Sequence, residues 1–532
     1  MINSIPIARL LLLVQKRLKF YVDSVFLYAI LSSIGAIMEF SMDEELLAGL
    51  PRYEGGVMST RLYDAGLGLH SMYNDGLVNA FECPGPEVGK LENMDYFQYF
   101  GYQADKTYEA GKPNRITFSN GRSSFIVTQD GKYMSMQQSR CSYEPYDKPS
   151  LQRTVTATDG KAFMAYLEGL EALGYKRTWE NHLEGNDFYE MEKDTRIIHC
   201  AFMGRLGIAR FTDVRTGCSI AGFGSEPSEG TLELCQFGLH YGYNRPLQCI
   251  DCGMLYILKL PDNSLFIIDG GQLEQATQAS MKEAIRVMRR MSRAPEGKRI
   301  PIPGWFCTHA HNDHMDMLSR LMMSYHQELD IQRVLFSFPS SKSFKIAFQA
   351  YILMERIIQF YPEASYLKVQ SGHSFQLASV RFDVLQTHGD STGEHGDETI
   401  GRFNDTSAVL KISYDGASFL VLGDIDNSAQ RILLSSYTDK TLHCTVIQAA
   451  HHLINKLDQL YAVARPYAAL VPQSLHVAIF SNEKFAGLLR SVPLERQYYG
   501  SCSTDIFRLA AGRIELLERF PVEGGEFDFS VI

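Results

Sequence analysis

The chain has 532 residues, with 51 Lys and Arg against 61 Asp and Glu, a formal charge of -10 and a 45% apolar fraction. That length calls for two or three domains, and the composition excludes a disordered or fibrous chain. No apolar run of about 20 residues follows residue 40, which excludes a multi-pass membrane domain. The acidic balance also disfavours nucleic acid as a partner, because a general coat needs a basic surface.

The first 38 residues are distinct. Arg9, Lys16, Arg17 and Lys19 stand against Asp23, and Val25 to Met38 then runs fourteen residues without a charge. Helices packed on a cytoplasmic protein, or a leader or anchor for export, both fit residues 1–38. Ten cysteines are scattered, and only Cys249 and Cys252 form a C-x-x-C. With no second pair at zinc-finger spacing, they read as small buried residues at a strand start.

Residues 41–247 are expected to form an amino-terminal region with a small α+β domain at about 110–240. Asn120-Gly121 and Asp130-Gly131 are hairpin turns. Ala162 to Leu173 has helical spacing, with Gly174 as its stop. Strands are expected at Phe188–Glu192, Thr195–Ala201 and Ile208–Thr212. No catalytic spacing stands out there, and 216–248 reads as a Gly-rich connector.

From residue 248 the pattern changes. Met254–Leu260 and Leu265–Ile268 form a hairpin that ends in Asp269-Gly270-Gly271. A helix follows at about 275–293, then a strand at Ile302–Cys307. Next comes Thr308 to Asp316, THAHNDHMD, in which His309, His311, Asp313 and His314 share six positions. His309 and His311 alternate as on extended chain and so can point the same way. The following turn lets Asp313 and His314 reach a second point nearby. Imidazole with carboxylate suits Zn²⁺ or another borderline divalent ion.

The run then repeats one design: a strand that ends in a candidate ligand. His388 follows Phe382–Leu385, Asp424 follows Ser418–Leu422, and His451-His452 follows Val446–Ala450. Rigid strands fix such loop-borne groups. Asn404, Asp405, Thr406 and Ser407 are either a turn or supporting donors. Gly389 to Phe403 is acidic, which would repel a polyanion; Arg402 and Lys456 are the nearest bases. Tyr467–Val471, Leu475–Phe480, Asn482–Arg490 and a closing hairpin around Gly512 complete the region.

HxHxDH after a strand, preceded by a hairpin ending in Asp-Gly-Gly, resembles the metallo-β-lactamase superfamily. The resemblance covers about 248–520. It implies an α+β chain in which an αββα sandwich at 248–532 follows the smaller α+β domain. It also implies a hydrolase with two divalent ions, Zn²⁺ before Mn²⁺ or Fe. His309, His311 and His388 would hold one ion. Asp313, His314 and His451 would hold the other, with Asp424 between them and His452 beside substrate. Of the adjacent pair, either His451 or His452 can be the ligand. Asp313 and His452 would take part in catalysis, in which bound hydroxide attacks a phosphodiester or related ester. A small-molecule lactone, lactam, thioester or amide is the alternative substrate, and a non-catalytic metal-binding interaction protein the alternative class.

NDTSAVLKISYDGASFLVLGD followed by a double histidine is similar to the hydrolase domain of bacterial DNA-uptake channels and its free-standing relatives. The chain departs from that group in carrying HHLIN where the group has HHGS. It also carries THGD where β-lactamases and thioesterases have a GH-type motif.

Overall fold

The computed structural model describes residues 50–51, 53–65, 79–82, 103–105, 114–119, 124–130, 133–138, 149–214, 219–239, 253–272, 275–338, 353, 356–357, 359–391, 403–480, 482–501 and 503–521. The leader at 1–38, Cys249 and Cys252, and most of the acidic loop at 389–403 lie outside them. Tyr53 to Ile532 form one compact unit. Mixed sheets and helices make it an α+β chain. Among the described residues no helix is long and apolar enough to cross a membrane.

Two large sheets share one core. The first runs Ser365–Lys368, Arg333–Phe336, Gly304–Cys307, Leu265–Ile268, Tyr256–Lys259, Leu232–Gln236, Ser503–Ala510 and Arg513–Pro521. The second runs Ser374–Leu377, Val380–Gln386, Val409–Tyr414, Ala417–Val421, Val446–Gln448, Ala468–Val471 and Gln497–Tyr499. Tyr256, Phe266, Phe306 and Leu335 from the first pack with Phe382, Leu410, Phe419 and Val446 from the second. Strands buried on both faces read as continuous apolar runs, as in LFII and GWFC.

Helices cover the outer faces. Gln278–Ser292 and Asn312–Ser324 lay Met281, Met288, Leu318 and Leu321 on the first sheet, around the fully buried Trp305. Asn427–Ser436 and Asp458–Ala464 lay Leu433, Leu460 and Tyr461 on the second. Full burial of such a side chain stabilises by about 1.5–3 kcal/mol.

The supposed connector holds a surprise. Leu232–Gln236 sits inside the first sheet, paired with both Tyr256–Lys259 and Ser503–Ala510. The sheet therefore begins upstream of residue 248. One charged residue, Glu233, and the surrounding glycines mask a five-residue strand.

Upstream residues form two antiparallel sheets rather than one module. A five-stranded sheet joins Asn79–Glu82, Tyr133–Gln138, Ser124–Asp130, Asn114–Ser119 and Gln103–Asp105. A six-stranded sheet joins Val57–Ala65, Pro149–Thr156, Ile208–Val214, Arg196–Met203, Asn186–Lys193 and Lys176–Leu183. The helix Gly160–Ala172 covers the latter, started by Asp159, whose carboxylate accepts from the Ala162 amide at 2.8 Å. Phe188, Ala201 and Met203 of this sheet join the core beside the second large sheet.

Candidate metal centre

Each candidate side chain leaves the end of a buried strand. Gly304–Cys307 delivers Thr308, His309 and His311; the helix Asn312–Ser324 starts at once, with Asp313 and His314 in its first turn. The N-cap residue is His311, and its side chain makes no capping bond. Its Nδ1 instead lies 3.0 Å from His309 Nε2. The early helix start was not expected from the sequence. Met315, Leu318, Leu321 and Met322 give its apolar spacing, which the histidine pattern overshadows.

Asp269 organises this corner. Its fully buried carboxylate accepts the Thr308 amide at 2.7 Å and the Thr308 hydroxyl at 2.7 Å. His314 Nδ1 lies 2.6 Å away and donates to it. That bond fixes the ring, and its Nε2 faces Asp424 Oδ1 at 3.2 Å. His452 is held the same way by another partner. Its Nδ1 donates to the Pro472 carbonyl at 2.9 Å, and its Nε2 stands 3.1 Å from Asp313 Oδ2 and 3.4 Å from Asp424 Oδ2.

Asp424 is seated by its neighbours. Its amide donates to Ser407 Oγ at 3.0 Å, while Gln448 Nε2 donates to the Gly423 carbonyl at 2.9 Å. Gly423 has φ +56°, and a Cβ there would come within 2.8 Å of the Ser407 side chain. Asp405 accepts the Asp426 and Ala429 amides at 2.8 and 3.1 Å, which anchors the next helix. The Asn404–Ser407 segment is thus both a turn and a set of supporting groups.

Two groups of side chains that could hold an ion result, and they share Asp424. One is Asp313, His314, Asp424 and His452; the other is His309, His311 and Asp424. His388 and His451 belong to neither group. Buried His388 has Nδ1 2.9 Å from Ser337 Oγ. His451 is partly exposed; its Nε2 is 3.8 Å from Asp424 Oδ2 and 3.1 Å from Asn404 Nδ2.

The adjacent histidines are set apart by the backbone. His451, His452 and Leu453 have φ of 47, 50 and 60°, three consecutive left-handed residues without glycine. Each costs roughly 1–2 kcal/mol. The turn that results drives His452 inward and leaves His451 at the rim. The resemblance favours His451 of the pair; in the structure it is His452 that comes together with Asp313, His314 and Asp424.

The donor set can be tested for a cation. Nε2 of His314, Nε2 of His452 and both Asp424 oxygens are buried without a hydrogen-bond partner of good geometry among the described residues. With Nδ1 already donating, a neutral ring aims a lone pair at a carboxylate. Two acceptors at 3.1–3.4 Å repel unless a positive species lies between them. The protein alone meets this with protons. Burial would lower His452, but Asp424 and Asp313 pull it up to about 9. Burial would lower His314 too, yet Asp424, Asp269 and Asp313 hold it well above its usual value. Burial would raise Asp424, but His314 and His452 hold it well below. Burial, with His314 and His311 beside it, keeps His309 neutral. A divalent cation would take the place of the protons on His314 and His452 and leave neutral imidazoles beside charged carboxylates, the forms that bind metal, so the residues fit one.

No family model and no curated protein matches the sequence. Among solved structures, the chain is similar to the metallo-beta-lactamase fold protein YhfI from Bacillus subtilis. The identity is 8% and the TM-score 0.30, with 54% of this chain and 100% of that chain covered. At that score the likeness carries no weight in assigning an activity.

Proposed function

We propose that the chain is a metal-dependent hydrolase of metallo-β-lactamase type. The observation that carries it is the meeting of His314 Nε2 and His452 Nε2 with the oxygens of Asp313 and Asp424, all at strand or helix ends. Asp313, His314, Asp424 and His452 would hold one divalent ion, and His309, His311 and Asp424 a second, Zn²⁺ being the best match to imidazole and carboxylate. Asp424 would lie between them. This reading takes His452 as the ligand in place of His451, and leaves His388 as a further ligand to be tested. Such ions supply Lewis acidity and lower the pKa of water.

The protein's own residues do the rest. Asp269 and the Pro472 carbonyl lock His314 and His452 against rotation. Thr308 and Ser407 hold the backbone that carries His309 and Asp424. Partly exposed His451 and Asn404 stand where substrate would arrive. We assign a phosphodiester or related ester as substrate, with nucleic acid disfavoured by the -10 charge.

Metal counting by mass spectrometry, with hydrolysis of a bis-aryl phosphodiester beside a lactone and a β-lactam, tests this reading. Bound divalent ion and chelator-sensitive turnover of the phosphodiester are expected. A metal-replete preparation that holds no ion would overturn it; preferential turnover of the lactone or lactam would overturn the substrate class.

A further inference from the structure

A third group of side chains that could hold an ion lies between the six-stranded sheet and the second large sheet. Glu190 and His199 are direct cross-strand partners on Asn186–Lys193 and Arg196–Met203, so their side chains share a face. His373 ends the turn that leads into Ser374–Leu377. Each of the three residues is at least nine-tenths buried. Each offers one ligand atom within 4.8 Å of the others.

The orientation of the His199 ring argues for a cation. His199 Nε2 donates to the Ser371 carbonyl at 3.0 Å, which leaves a lone pair on Nδ1. That Nδ1 is buried and, among the described residues, has no hydrogen-bond partner. His373 Nε2 lies 3.2 Å from Glu190 Oε1. Ligands about 2.1 Å from a tetrahedral ion stand roughly 3.4 Å apart, close to that separation. No lysine or arginine among the described residues pairs with Glu190; Ser219 Oγ and the Ile220 amide donate to it.

We propose that Glu190, His199 and His373 bind a divalent cation of zinc type that fastens the six-stranded sheet to the hydrolase sheets. The protonation states suit it. Burial would raise Glu190, but His373 and Ser219 hold it down at about 2. Burial, and then His373, hold His199 down at about 3. Loading the ion on His373 Nε2 moves that ring's proton to Nδ1. The Gln370 amide, which donates to Nδ1 at 3.2 Å, then gives up that long bond.

The surroundings are built to hold the turn. Gly372 has φ +88°, and a Cβ there would sit 2.1 Å from the Phe188 ring. Asn181 Nδ2 donates to the Gly372 carbonyl at 2.9 Å. Ser371, in the same turn, donates to Asp390, two residues beyond His388. The ion would therefore also steady the segment that carries His388.

The test counts zinc in the full chain after loading and gel filtration. Glu190→Gln and His199→Asn should each hold one equivalent less than wild type, and Asp424→Ala combined with Glu190→Gln should lose more than Asp424→Ala alone. An unchanged count in folded Glu190→Gln and His199→Asn would overturn the proposal. A second measurement needs no change at these residues. The chain has two tryptophans, and Trp179 stands 5.3 Å from His373. In Trp305→Phe, Trp179 is the sole indole, and Co²⁺ should quench it saturably by more than half. Full fluorescence under excess Co²⁺ would overturn the proposal even if the first centre proves metal-free.

Discussion

Asp269→Asn is the sharpest perturbation of the centre, because it keeps shape and removes charge. The native carboxylate accepts three bonds, from the Thr308 amide, the Thr308 hydroxyl and His314 Nδ1, at 2.7, 2.7 and 2.6 Å. An amide has one accepting oxygen. If that oxygen keeps the Thr308 amide, the NH₂ group faces the Thr308 hydroxyl and His314. The hydroxyl rotates to accept, but His314 Nδ1 must give up its proton to do so. The ring then carries its proton on Nε2, the atom 3.2 Å from Asp424, and is the wrong tautomer for a ligand. Loss of such a partner costs about 10–100-fold in metal affinity. At about 1.4 kcal/mol per tenfold that is roughly 1.4–2.7 kcal/mol, matching the ~1.5–3 kcal/mol of a bond to a charged group. Competition against a chromophoric chelator measures the zinc affinity, and thermal unfolding in chelator measures the metal-free loss. Asp262→Asn is the control, since Asp262 only bonds Ser264 in a distant turn. Wild-type zinc affinity in folded Asp269→Asn would refute the tautomer argument.

His452→Ala should lose the ion held with Asp313 and His314, whereas His451→Ala should keep its metal and lower kcat; metal counts and steady-state rates on both variants decide between the adjacent histidines. Arg210→Met leaves Asp390 without the guanidinium 2.7 Å away, a buried loss of about 3–5 kcal/mol that urea unfolding would show as a lower midpoint. Gly423→Ala forces a Cβ against Ser407 at a positive φ; a loss of more than about 1 kcal/mol, read as a fall in Tm, is expected. Chelation should abolish hydrolysis, and returning Zn²⁺ or Mn²⁺ should restore it; a rate indifferent to both would sink the metal reading.

Legibility followed period and order along the chain. LFII and GWFC announced central strands because both faces are buried, and the candidate site residues after them were visible as polar breaks. What was hidden depends on contacts distant in sequence or on unusual backbone. Leu232–Gln236 shows too little alternation to stand out, and its place follows from partners 20 to 277 residues away in the chain, a scale that local pattern does not reach (roughly an 11–18-residue window). His452 turns inward because three non-glycine residues adopt φ above 40°. Propensity argues against that conformation, and only tertiary packing enforces it. Such conflicts between local rule and structure gather at functional sites, and this one falls at the candidate metal centre.

The six-stranded sheet gains a purpose from the same reasoning. Arg210 crosses from Ile208–Val214 to Asp390, whose other oxygen accepts the Thr387 amide at 3.0 Å and the Ser371 hydroxyl. Thr387 and Asp390 bracket His388, so a side chain of the amino-terminal sheet sets the backbone from which that histidine projects. Glu190 and His199 grip the 370–373 turn from the same sheet. A bystander sheet would meet the two large sheets through exposed or purely apolar residues. Here a buried ion pair and a buried imidazole–carboxylate group converge on one turn, and desolvating those charges is costly without a partner on both sides. Removal of the sheet would strand Asp390 and His373 together, so the two large sheets should not retain a properly set His388 when expressed from residue 225 onward; soluble fragment with the full metal count would contradict that dependence.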